Sequence, residues 1–149
     1  GGDILSCKFD NLSAVAFKMR KFNDNLSLIV NNELRKYGLT YSQLLLLHFL
    51  SQRKGEETAI KDIEKLMQLT HPTVLGIVAR LCAKGFVKTK TSDKDKRIRL
   101  VSLADNDFDI AACEKEIKQT VFVEFKENFS KSEIETLAES LNYIVKIME

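Results

Sequence analysis

Apolar residues recur at three- and four-residue steps from Asn11 to Tyr37, through Leu12, Val15, Ala16, Met19, Leu26, Ile29, Val30 and Leu34. That spacing predicts a long helix with one apolar face. Gly38 suits the left-handed position that ends such a helix. Thr40 followed by Gln43 is a capping box, opening an apolar helix that runs to about Ser51. The polar stretch SQRKGEE reads as a loop. A short helix is expected from about Ala59 to Met67, with Thr58 as its N-cap, Ile63 and Leu66 facing inward and Leu69 closing the turn after it. The run THPTVLGIVARLCAKG predicts a further helix, with Thr70 as N-cap and Pro72 tolerated in the first turn. Its stripe of Val74, Ile77, Val78 and Leu81 is spaced for burial, and Gly85 ends it.

The period then changes from helical to alternating. FVKTKT alternates around Val87, Thr89 and Thr91, and RIRLVSL sets Ile98, Leu100 and Ser102 against Arg97, Arg99 and Val101. Two short strands joined by a polar tip make a hairpin. Helical spacing resumes after Asp105 to about Asn128, and Ser130 with Glu133 forms a second capping box. The helix it opens is striped by Ile134, Leu137, Ala138, Leu141, Ile144, Val145 and Met148. The predicted order is α-α-α-α-β-β-α-α, a mainly α fold with a small β-hairpin. Two short helices followed by a hairpin describe a helix-turn-helix with a wing over residues 39–103. Helices at 11–37 and 105–149 flank it, within one domain spanning 1–149.

Size and composition fit that reading. The 149 residues, 44% hydrophobic and 30% charged, suffice for one globular domain with a real core. No apolar run approaches the ~20 residues needed to cross a bilayer, and the first residues carry no signal pattern. Cys7, Cys82 and Cys113 lie far apart with no metal-ligand spacing, which predicts reduced thiols in a cytoplasmic protein and no bound metal or cofactor. Net charge is only +2, but it is unevenly spread. Lys84 to Arg99 holds seven basic and two acidic residues, whereas Leu100 to Glu149 holds five basic and eleven acidic. The first segment suits a polyanion and the second does not.

The helix from Thr70 sets a small, smooth face of Pro72, Gly76, Ala79 and Ala83 opposite its buried stripe, flanked by Thr73 and Arg80. Such a face permits close approach to a groove floor. His71 and Thr73 could meet base edges there, and Arg80 a guanine or a phosphate. The plain alternative is helix-on-helix packing, with Gly76 marking the contact. On the hairpin, Lys88, Lys90, Lys94, Lys96, Arg97 and Arg99 line one ribbon suited to neutralising phosphates. Asp95, two residues before Arg97, could aim the guanidinium. Here the plain alternative is a charged edge that discourages strand-to-strand aggregation. There is no glycine-rich phosphate loop, no metal cluster, and no histidine beside a nucleophile and an acid, so no catalytic residue is assigned and an enzyme is not expected.

The run LTHPTVLGIVARLCAKGFVKTKTSDKDKRIRLVSL resembles the winged helix-turn-helix core of the MarR family of transcriptional regulators. Leu81, Gly85, Phe86 and Val87 match the pattern that follows the family's recognition helix. Asp95-Lys96-Arg97 matches the wing's Asp-x-Arg signature, Leu103 matches part of the wing exit, and LTYSQLLLLHFL resembles the second helix. The resemblance implies a homodimer built from the terminal helices that binds a pseudo-palindromic double-stranded operator, acts as a repressor and engages no membrane. One recognition helix per subunit would enter the major groove, Arg97 would enter a minor groove, and Asp95 would orient it. A regulatory cavity for a small aromatic or anionic effector is also implied; His48, within an apolar helix, is a candidate lining residue, with a satisfied core histidine as the plain alternative. Some relatives sense peroxide through an N-terminal cysteine, which here would be Cys7. The chain departs from the family pattern at Ala104 and Asp107, so the turn after the wing is expected to be capped differently, by Asp105. Two other readings stay open: a winged-helix module that binds protein and not DNA, and a thiol-based redox regulator.

Overall fold

A computed structural model describes residues 2–149, with side chains from Asn11 onward. Helix α1 (Gly2–Leu34) ends in a 3-10 turn (Arg35–Tyr37). Gly38, at φ 67°, then reverses the chain. Its N–H donates to the Arg35 carbonyl at 3.0 Å, and that of Leu39 to the Leu34 carbonyl at 3.3 Å. The left-handed backbone is why a glycine stands here. The expected capping box opens α2 (Tyr41–Gln52): Thr40 Oγ1 accepts from the Gln43 N–H at 3.3 Å, and Gln43 Oε1 accepts from the Thr40 N–H at 3.1 Å. Asn31 of α1 accepts from the Tyr41 N–H at 2.7 Å, tying the first turn of α2 to α1.

Thr58 is not the N-cap that its position suggested. Thr58–Ala59 forms a two-residue strand, β1, and Ala59 precedes α3 (Ile60–Met67) without any side-chain cap. β1 pairs antiparallel with β3 (Arg99–Leu103), which also pairs with β2 (Val87–Thr91), giving a three-stranded sheet in the order β1-β3-β2. The hairpin therefore has its return strand in the middle. Thr58 lies opposite Val101, and both are buried.

The turn between α3 and α4 (His71–Ala83) uses Gln68 in the left-handed region, and Leu69 donates to the Glu64 carbonyl at 3.2 Å. The predicted stripe of Val74, Ile77, Val78 and Leu81 is buried throughout. With Leu34, Leu44, Leu46, Leu47, Leu50 and Ile63 it forms the core. Leu66 does not join it. It is 48% exposed, because α3 has only two turns and its buried side passes through Ile60 and Ile63.

The segment after the wing stays irregular to Asp109, and helix resumes only at α5 (Ile110–Val121). Asn106, not Asp105, organises this turn. Its Oδ1 accepts from the Phe108 N–H at 2.9 Å, and its Nδ2 donates to the Gly85 carbonyl at 3.0 Å. The Phe108 ring meets Tyr37 and Phe86 edge-on, with centroids 5.7 and 5.1 Å apart. Phe122, at φ −98° and ψ 10°, separates α5 from α6 (Val123–Asn128), so the single helix expected here is two. α7 (Lys131–Met148) opens on the expected Ser130–Glu133 capping box. The Ser130 N–H and hydroxyl hold the Glu133 carboxyl below its ordinary pKa. The chain divides into two compact units between Ile110 and Ala111.

Candidate nucleic-acid interface

Helix α4 is tied down at its C-terminal end. At its C-terminus the Lys84 ammonium donates to the Gly38 carbonyl and, at 3.1 Å, to Gln43 Oε1. Gln43 is 2% exposed and also caps α2, so one buried amide joins the start of α2 to the end of α4. Lys84 is counted in the basic segment, yet its ammonium is engaged by these two acceptors. Gly85, at φ 79°, lets the Phe86 N–H return to the Leu81 carbonyl at 2.9 Å before β2 begins.

The outward face of α4 is as small as expected: His71, Pro72, Thr73, Ala79, Arg80 and Ala83 are exposed and Gly76 half-buried. It is not bare, however. A Cβ built at Gly76 would lie 3.5 Å from Arg80 Nη1, so the Arg80 guanidinium runs back along the helix over Gly76. Thr70 does not cap the helix through its side chain. Its hydroxyl instead hydrogen-bonds that of Thr73, at 2.8 Å. His71 Nδ1 lies 3.1 Å from Glu64 Oε2 on α3.

The wing tip, residues 92–98, is organised by Asp95. Its carboxylate accepts from the Arg97 backbone N–H at 3.0 Å and from the guanidinium by two bonds, Nε to Oδ1 at 3.1 Å and Nη2 to Oδ2 at 3.0 Å. Two parallel bonds fix the plane of the guanidinium as well as its position. The Asp95 carbonyl accepts from the Ile98 N–H at 2.9 Å, and the Ser92 N–H closes the tip onto the Ile98 carbonyl at 2.8 Å. The Arg97 side chain is nonetheless 90% exposed, against 34% for Asp95. The guanidinium, then the Arg97 N–H, hold the Asp95 carboxyl below its ordinary pKa, and Arg97 is correspondingly raised.

The basic residues do not line one continuous ribbon. Thr91 pairs with Arg99 and Lys90 with Leu100. Cross-strand partners share a face and successive residues alternate. Lys88 and Lys90 therefore project from the face opposite Arg99. Lys90 is further tied to Glu57 at 2.8 Å, which keeps its ammonium above the ordinary pKa. A concavity of about 340 Å³ under the tip is lined by strand residues 89–91 and 99 and by Lys96, Arg97 and Ile98. Lys94 is exposed at the tip.

The other candidates are less assembled. A second hollow, of about 190 Å³, is lined by Leu47, Phe86, Leu103, Ala104, Asn106, Phe108 and Ile110. His48 is half-buried on α2 with its ring edge-on to Phe49, and is not among those lining residues. The Cys7 side chain lies outside the described residues. Cys82 is half-buried and Cys113 buried. Among the described residues no group of three or more side chains could hold a metal ion, and no helix is long and apolar enough to cross a membrane.

Sequence reasoning missed Glu64 and Glu57 as partners of His71 and Lys90, and the Gln43–Lys84 contact that ties α2 to the end of α4. Each joins residues at separations that carry no periodic signal. Only the Thr40–Gln43 spacing hinted at a second role for Gln43.

Two helices joined by a short turn, a three-stranded sheet and a projecting hairpin define a winged helix-turn-helix protein. Residues 37–98 match the MarR family model, and over that winged helix-turn-helix segment the chain is similar to the family. Its 112-residue match to the HTH-type transcriptional regulator SarZ of Staphylococcus haemolyticus is 25% identical and covers 75% of this chain and 74% of SarZ. The fold superposes on the transcriptional regulator BldR from Sulfolobus solfataricus with a TM-score of 0.80 at 23% identity, covering 93% and 97% of the two chains. It superposes on a MarR mutant from E. coli complexed with operator DNA at 0.78 and 20% identity, covering 91% and 96%. At these identities the structural likeness is one of fold.

Proposed function

We propose that this chain is a DNA-binding transcriptional regulator acting as a homodimer on a pseudo-palindromic duplex, and that it represses. The single observation that carries this reading is the Asp95–Arg97 fork. It holds an otherwise exposed guanidinium in a fixed plane at a wing tip, where no internal structure uses it. A narrow minor groove attracts such an arginine. The exposed first turn of α4, with His71, Pro72 and Thr73, is the part directed to the major groove, and Arg80 serves a guanine edge or a phosphate. Lys94, Lys96 and Arg99 supply phosphate neutralisation around Arg97. Lys88 and Lys90 act from the other face of the sheet, Lys90 with its charge partly met by Glu57.

Dimerisation is supported by the terminal helices. On α1, Leu12, Val15, Phe17, Met19, Phe22, Leu28 and Ile29 are exposed, and on α7 so are Ile134, Leu137, Tyr143, Val145, Ile147 and Met148. Apolar area on that scale marks an interaction surface, and a second copy is the occupant a two-fold operator needs. Effector release by a small aromatic or anionic molecule has weaker support. The hollow at Phe86 and Phe108, about 190 Å³, is below the ~300–1,000 Å³ of usual ligand pockets.

Exposed Pro72, Ala79 and Ala83, with half-buried Gly76 between them, favour one rival, a winged-helix module that binds protein alone. A mobility-shift titration on duplex DNA at several salt concentrations separates the two. Regulator function predicts affinity that falls steeply as salt rises. No retention on duplex at low salt overturns it in favour of the rival.

A further inference from the structure

His71 opens α4 with its side chain 58% exposed, and its Nδ1 faces Glu64 Oε2 at 3.1 Å. Glu64 is well placed to hold it. Its own backbone carbonyl accepts from the N–H groups of Gln68 and Leu69, so the residue is fixed in the turn that joins α3 to α4. An ionised carboxylate only accepts hydrogen bonds, so the imidazole nitrogen facing it must carry the proton. A neutral imidazole has one N–H. With it on Nδ1, Nε2 is left as a lone-pair acceptor. The neighbouring groups on the first turn do not duplicate it: Pro72 has no polar side-chain atom, Arg80 only donates, and the Thr70 and Thr73 hydroxyls, bonded to each other at 2.8 Å, can donate as well as accept and so do not sort the bases.

The bases divide cleanly before such an acceptor. In the major groove adenine N6 and cytosine N4 carry amino donors, whereas guanine offers N7 and O6 and thymine O4, all acceptors. We infer that His71, held in its Nδ1–H tautomer by Glu64, reads an exocyclic amino group and selects adenine or cytosine over guanine or thymine at one position of each half-site. This rests on the proposed DNA-binding function. Glu64 is a positioning residue, acting on the base only through His71.

Two measurements on the full chain test it. Long-range 15N–1H correlation in mildly alkaline buffer, where imidazole is neutral, reads the tautomer directly and needs no DNA. Wild type should show the Nδ1–H form, and Glu64→Gln, whose amide can donate or accept, a mixture. Selection from a randomised duplex pool should give the wild type about a tenfold preference for the amino bases at one position per half-site. His71→Ala should flatten that position and Glu64→Gln should narrow the preference. Loss of the Glu64 charge raises affinity for every sequence alike, so the ratio between bases is the readout. A wild-type Nε2–H tautomer, or a base preference unchanged in His71→Ala, overturns this inference and leaves the proposed function standing. Absence of any duplex binding overturns both, while the tautomer still reports on Glu64.

Discussion

The outward face of α4 and the wing tip are held in place by opposite means. The helix is fixed from behind: Val74 and Leu81 are fully buried, and Lys84 fastens its end to α2. Its outward face can then be nearly featureless without losing its position. The wing tip has no core behind it, and its order comes from bonds among its own residues, chiefly those of Asp95 to Arg97 and Ile98. One surface is rigid because of what it buries, the other because of what it bonds locally. Changes that damage one should therefore leave the other intact.

The largest effect is expected from the core side of that contrast. Leu81→Ala empties a fully buried site shared by α4 and the return of the chain into β2. It should cost about 3 kcal/mol of stability, measured by urea denaturation. A loss below about 1 kcal/mol would mean that the position of α4 does not depend on this stripe. On the wing side, Arg97→Ala should lower duplex affinity about tenfold in a mobility-shift titration, with the melting temperature unmoved. Arg97→Lys should not rescue it, because an ammonium cannot make the two parallel bonds that set the plane. Wild-type affinity in Arg97→Ala would remove the minor-groove role.

Gly76 offers a smaller effect in which stability and binding move in opposite directions. A Cβ there meets only Arg80 Nη1, at the ordinary contact distance of 3.5 Å. Gly76→Ala should therefore raise stability by about 0.5–1 kcal/mol through helix propensity. If the smooth face lies against DNA, affinity should fall at the same time, since the added methyl group fills the approach. A stabilised variant with unchanged affinity would show that the face does not meet the duplex.

Legibility in the sequence followed the same division. Elements fixed by burial announce themselves by period: the α4 stripe and both capping boxes are read correctly because 3.6-residue spacing and an S/T-x-x-E/Q pattern are local. β1 was not legible, since two residues carry no alternation and Thr58 before a helix looks like a cap. Its role comes only from pairing with Val101, some forty residues on. The inward placement of Leu66 failed because a two-turn helix buries too narrow a stripe for periodicity to choose among its apolar residues. The ribbon of basic residues failed on cross-strand register, which decides facing and is set by where β3 starts. The Asp95–Arg97 fork was legible because both partners lie within one turn. Glu64 beside His71 was not, because the turn that brings them together uses a left-handed Gln68, and glutamine gives no hint of one.

The smallest effect concerns pH at the wing tip. The Arg97 side chain and then the Arg97 N–H hold the Asp95 carboxyl below the ordinary aspartate value of 3.8. A depressed native pKa means that the folded chain binds this proton less readily than the unfolded chain. The order that the fork gives is therefore complete above the unfolded pKa, and it is lost only as pH falls through the lower native value. Between pH ~5 and ~8 the carboxylate stays ionised, so the fork adds no pH dependence to binding across that range. Following the Arg97 amide resonance during acid titration should give a midpoint below 3.8, and Arg97→Ala should return the Asp95 midpoint toward that value. A wild-type midpoint at or above it would mean that the guanidinium is not seated on the carboxylate in solution. The wing would then meet DNA as a flexible basic loop, and its rigidity could no longer be set beside that of the helix.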